Sequence, residues 1–174
     1  DKLLKIQVDA TIPTSGTSKF LVDYYIYGSG EVVVNSTLQP NPSLSEVPEV
    51  GMELMVPGEF KNMKWYGRGE HDHYWDRYDG ATVGVYTSTV DEQFFPYPNP
   101  QDTGNKMDAR WLTLTDSEGF GLMVGGLPTF DFSALYYTDI QLDDARHPYE
   151  LTKQDDISLE VNYRQMGVWN SWTG

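Results

Sequence analysis

The chain has 174 residues, enough for one domain with a real core and short of two comfortable ones. Its 26 acidic against 12 basic side chains give a formal net charge of −14, a surface that repels phosphate backbones and anionic lipid and so argues against nucleic-acid and membrane partners. Cysteine is absent, which excludes disulfides and thiolate metal sites and leaves the compartment, cytoplasmic or periplasmic, undecided.

Along the chain, KIQVDATI (5–12) alternates in hydrophobicity, as a strand does. Its context, DKLLKIQVDA, has neither signal-peptide character nor an initiator methionine, which points to a segment of a longer polypeptide. KFLVDYYIYG (19–28) alternates too, with Phe20, Val22, Tyr24 and Ile26 on one face, and the β-branched run EVVVNSTLQP (31–40) follows. GSG at 28–30 is a tight-turn signal, so 19–38 reads as a hairpin. A proline-punctuated loop (40–51) leads into short strands in MELMVPG and KNMKWYGRG.

Further strands are expected in TVGVYTSTV (82–90), ARWLTLTD (109–116), GFGLMVGG (119–126) and ISLEVNYRQMG (157–167), with SEG at 117–119 as a second hairpin turn. DEQFFPYPNPQDTGNK (91–106) holds too much proline for a regular ladder. TFDFSALYYTDIQLDDARHP (129–148) hints at helix around Ser133 to Leu142. No apolar run approaches the roughly 18–20 residues that span a bilayer. The expected class is all-β, an antiparallel sandwich of short strands, with residues 1–174 as a single domain.

Chemistry concentrates in GRGEHDHYWDRYDG (67–80). On a strand, His71 and His73 would project on one face at a common metal-ligand spacing, with Asp or Glu nearby as a third ligand. Surface pairs of this kind also arise by chance, and only His147 remains elsewhere. A glycosidase-like carboxylate pair needs two carboxyls about 5–5.5 or 6.5–9.5 Å apart, and 26 acidic residues do not select one. A G-x-S-x-G elbow and a phosphate loop are both missing, since GFGLMVGG lacks the lysine. Aromatic content is 14%, which suits stacking on sugars but suits a β-rich core better.

Three runs then carry a resemblance: WYGRGEHDHYWDRYDGATVGVY, PYPNPQDTGNKMDARWLTLTD and VNYRQMGVWNSW. Gly67, Gly69, Tyr74, Asp76 and Arg77 stand in register with one motif, Pro100, Gln101, Asp102 and Gly104 with a second, and Arg110 with Trp111 with a third. In this the chain resembles the C-terminal β-sandwich, or small chain, of β-galactosidases of glycoside hydrolase family two, most strongly over 57–118 and 157–172. Glu70, Asp72 and His73 depart from the family pattern, so His71 and His73 inherit no catalytic role and no metal.

The resemblance implies a large antiparallel supersandwich of galactose-mutarotase type, present here as an incomplete copy. It implies a retaining enzyme that hydrolyses terminal β-galactosides, with its catalytic glutamates on a TIM barrel elsewhere in the same polypeptide. This segment would then supply scaffold and one edge of the galactose pocket, with no catalytic residue, metal or cofactor of its own. Met166 with Gly167 and Ser171 with Trp172 match the family stretch whose tryptophan stacks on sugar, so Trp172 is the expected substrate contact and Trp169 the runner-up. Arg77 and Arg110 are expected to pair with carboxylates at strand ends. Open strand edges make a homo-oligomer an expectation as well. The alternatives are a free-standing carbohydrate-binding module using Trp65, Trp75 or Tyr97, and a mutarotase-like epimerase with a histidine and a carboxylate facing one cleft.

Overall fold

The computed structural model describes residues 2–13, 16–44 and 47–165. It is all-β, with two antiparallel sheets of three and six strands, as the alternation in the sequence required. The chain divides into two units, Asp1–Val47 and Pro48–Gly174.

In the first unit, β1 (Leu3–Pro13), β2 (Thr17–Tyr27) and β3 (Val32–Gln39) form one sheet in that order. The expected hairpin is present, with Ile26 opposite Val32. Its turn closes through the Gly30 N–H donating to the Tyr27 carbonyl at 3.0 Å. Gly30 sits at φ +92°, where a Cβ would be strained, so the glycine of GSG has a backbone reason. On the central strand, Ser18 and Val22 are buried.

The second unit orders its strands β4 (Glu49–Val56), β9 (Ile157–Gln165), β8 (Gly121–Leu135), β7 (Lys106–Thr115), β5 (Asn62–Arg68) and β6 (Val83–Thr89), every neighbour antiparallel. One face supplies the core: Met63 and Trp65 from β5, Leu112 and Leu114 from β7, Phe130, Phe132 and Ala134 from β8, Ile157 and Leu159 from β9. Each large side chain buried here contributes roughly 1.5–3 kcal/mol relative to exposure. Trp65 stacks on Tyr86 at 5.5 Å between ring centres and meets Phe132 edge-on at 6.1 Å.

The helix expected around Ser133 to Leu142 is displaced. β8 runs on through Leu135, because Phe132 and Ala134 pair with Val161 and Leu159 of β9. The helix α1 spans only Asp139–Asp144. It starts at a capping box, in which the Gln141 N–H donates to Thr138 Oγ1 at 3.3 Å and the Thr138 N–H to Gln141 Oε1 at 3.1 Å. Pairing with β9 overrides local propensity up to Leu135, and the cap determines where the helix begins.

The second face of β8 and β9 is also covered, but it is polar: Asp131, Ser133, Ser158, Glu160 and Asn162 are all buried. The segment between β6 and β7 adds no strand, only the 3-10 turn Val90–Glu92.

Candidate functional site

The stretch 67–80 leaves β5 through Gly69, which adopts φ +62° and donates its N–H to the Thr82 carbonyl at 3.2 Å. It closes as the 3-10 turn Trp75–Gly80. His73 and Tyr74 point inward and are buried, whereas His71 is exposed, so the two histidines do not share a face. The His73 ring engages the Tyr78 carbonyl through Nε2 at 3.0 Å. Its backbone is clamped to the second motif: the His73 N–H donates to the Asn105 carbonyl at 2.7 Å, and Asn105 Nδ2 donates to the His73 carbonyl at 2.6 Å.

Asp108 on β7 is the hub of the cluster, itself at φ +51°. It accepts from Arg68 Nε at 2.8 Å and Tyr78 Oη at 2.5 Å, and Arg164 at the end of β9 lies 3.7 Å away. Burial alone would raise the Asp108 carboxyl, but the Tyr78 and Arg68 hydrogen bonds and the two arginine charges outweigh it and hold it below its ordinary value. Arg77 pairs with Asp72 at 3.0 Å, as a charge pair was expected to, and Tyr97 Oη donates to the same carboxylate at 3.1 Å. Arg110 departs from expectation: it donates to the Asp108 backbone carbonyl at 2.7 Å and lies over the Tyr66 ring. The nearby carboxylate is already taken by Arg68, from within the glycine motif.

The three motif segments therefore meet around the end of β9. Arg164 lies over the ring of Trp75, and Gln165 Nε2 donates to Asp102 Oδ2 at 2.9 Å. The pairing of Arg68 with Asp108 spans 40 positions and that of Arg164 with Asp108 spans 56, so no local spacing in the sequence exposes either. Lys106, at the start of β7, is buried and donates to Gln93 Oε1 at 2.8 Å and the Gly104 carbonyl at 2.9 Å. Burial lowers its ammonium to about 8 against the opposing pull of Asp72. Trp169 and Trp172 lie outside the described residues.

Of the aromatic side chains proposed for a sugar-binding face, Trp65 is excluded, being 1% exposed in the core. Trp75 is 59% exposed, and Tyr97 is half-buried against Asp72. A groove of about 740 Å³ lies away from the motifs, among Glu59, Asp91, Asp116, Tyr136 and Lys153. It contains no histidine, so it lacks the pair that an epimerase would need.

The chain matches the family model of the β-galactosidase small chain over residues 1–173. It is 40% identical to a β-galactosidase of Priestia megaterium over 169 residues, 96% of this chain and 16% of that protein. A β-galactosidase of Streptococcus thermophilus is 32% identical over 97% of this chain and 16% of its own length, and one of Vibrio cholerae 36% identical over 86% and 14%. The chain thus spans about a sixth of the curated relatives it matches. The motif residues that gather around Asp108 lie inside the matched region throughout, and the chain belongs to the β-galactosidase small chain family.

Proposed function

We propose that this chain serves as an accessory β-domain of a β-galactosidase, one that hydrolyses terminal β-galactosides with catalytic groups carried by other domains of the same polypeptide. Residues 1–174 are read as one such domain, and its role is scaffold together with one edge of the galactose pocket. Match to the small-chain family over residues 1–173 carries this reading. Geometry supports it: Asp108, Trp75 and Asp102 hold the end of β9 at Arg164 and Gln165, immediately before the segment with Trp169 and Trp172. An indole offers a rigid apolar face to sugar C–H groups and an N–H to a hydroxyl, so Trp172 is assigned the sugar contact, with Trp169 second.

Kinetics of the intact polypeptide test the assignment. Trp172→Ala should raise KM and lower kcat/KM by about tenfold, the equivalent of roughly 1.4 kcal/mol, with an unchanged melting temperature. Unaltered kinetics in Trp172→Ala combined with a loss in Trp169→Ala would transfer the role to Trp169.

The exposure of Trp75 supports a second reading, a carbohydrate-binding module. In that case the separate chain binds galactosides and Trp75→Ala abolishes binding. The edge strands β4 and β6 are open to pairing, which keeps a homo-oligomer within the proposal.

A further inference from the structure

The six-stranded unit gathers three carboxylates out of reach of its own cations. Glu49 on β4, Glu160 on β9 and Asp139 at the start of α1 each offer an oxygen, and these oxygens lie within 4.8 Å of one another. Glu160 is 7% exposed. The salt bridges among the described residues engage Asp9, Asp23, Asp72, Asp91 and Asp108, and none of these three. Asn162 Nδ2 donates to the Glu49 carboxylate and so orients it. Charges this close and this buried require neutralisation, by protons or by a cation.

The neighbouring cavity decides between the two. Asp139 and Glu160 line it together with Asp102, Ser133, Tyr74 and Gln165. Tyr74 is 0% and Gln165 5% exposed, and the Tyr74 hydroxyl and the Gln165 amide oxygen have no hydrogen-bond partner among the described residues. Because the Gln165 amide nitrogen is committed to Asp102, its oxygen is the end left over. Buried acceptors are rarely left so, and the space is too narrow for a water molecule to serve them. A proton shared among the carboxylates relieves repulsion and leaves the Gln165 oxygen orphaned. A bare cation, smaller than water, takes lone pairs from carboxylate and amide alike.

The donor set is all oxygen, with neither imidazole nor thiolate, which selects a hard cation. Calcium–oxygen bonds of 2.3–2.6 Å place opposite ligands about 4.6–5.2 Å apart, against about 4.0–4.2 Å for magnesium. Oxygens within 4.8 Å of one another suit either bond length, and because magnesium dehydrates reluctantly, a space without room for water selects calcium. We infer that Glu49, Asp139 and Glu160, with the Gln165 amide oxygen as neutral donor, form a calcium site that ties β4 and β9 to α1. This site is independent of any sugar contact.

Calorimetric titration of the chelator-treated 174-residue chain with calcium chloride tests it, alongside thermal melting. One calcium per chain is expected, with a melting temperature raised by several degrees and weaker binding of magnesium. Glu160→Gln and Asp139→Asn should each weaken binding at least tenfold. Asp139 is only half-buried, so Asp139→Asn keeps the fold even where Glu160→Gln does not, and circular dichroism verifies this. A folded wild-type chain that shows neither heat nor a melting shift with calcium overturns the site. Weak multi-site binding that survives Asp139→Asn, the signature of an acidic surface alone, overturns it equally.

Discussion

Removing the Asp108 carboxylate leaves two arginines and a tyrosine hydroxyl without their shared acceptor. Asp108 and Arg68 are both largely buried, with side chains 13% and 20% exposed. Taking one partner from such a pair leaves the other uncompensated, so Asp108→Ala should cost about 3 kcal/mol. Arg110 donates only to a backbone carbonyl, and Arg110→Ala should cost about 1 kcal/mol. Urea unfolding midpoints at constant m-value measure both. Equal losses would show that Arg110 anchors the cluster as strongly as the Asp108 carboxylate does. At this scale the sequence directed attention to the right stretch but to the wrong arginine, because a guanidinium's partner is chosen by strand register and not by the nearest acidic residue in the chain.

Among the elements, the C-terminal part of β8, like the start of β9, hides both of its faces. Phe130, Phe132 and Ala134 meet the core, whereas Asp131 and Ser133 are buried on the other side. Burial raises the Asp131 carboxyl to about 6, although it accepts the Asp108 N–H at 3.1 Å. The folded state therefore keeps a proton that the unfolded chain has released. The resulting stabilisation is complete below the ordinary value of 3.8 and is lost as pH rises through about 6. Asp131→Asn should remove this dependence, so its stability relative to wild type should improve by on the order of 2–3 kcal/mol between pH 3.5 and 7.5. Paired melting curves across that range isolate the effect, since carboxylates shifted downward, such as Asp108, are common to both proteins. A constant difference with pH would show that Asp131 does not titrate as its burial requires.

For the whole molecule, the groove of about 740 Å³ is lined by Glu59, Asp91 and Asp116 but by none of the family motif residues, and the accessory reading leaves the catalytic groups on other domains. The separate 174-residue chain should therefore not cleave a chromogenic β-galactoside above a heat-killed control. Turnover that survives repeated purification would require catalytic groups within this chain, and the accessory reading would fall. Release of chromophore only on adding the remaining domains of a relative would place the chemistry there.

Alternation of period two in β1, β2, β5, β7 and β9, together with the turn glycines Gly30 and Gly119, was enough to establish an all-β antiparallel class from the sequence alone, because both signals are local. The proline-rich stretch 91–106 was legible as irregular for the same reason, since proline cannot donate to a ladder, and only its last residue, Lys106, falls in β7. Tertiary structure decided everything that depends on distance along the chain. It extended β8 through Leu135, because pairing with β9 outweighs the helical bias of a few residues, and it placed Trp65 in the core where composition also allowed a sugar platform. It also brought Arg68, Tyr78 and Arg164 to Asp108, and Glu49, Asp139 and Glu160 to one another. Alternation tells which residues share a strand face. Whether that face meets water or another element depends on what the rest of the chain lays over it.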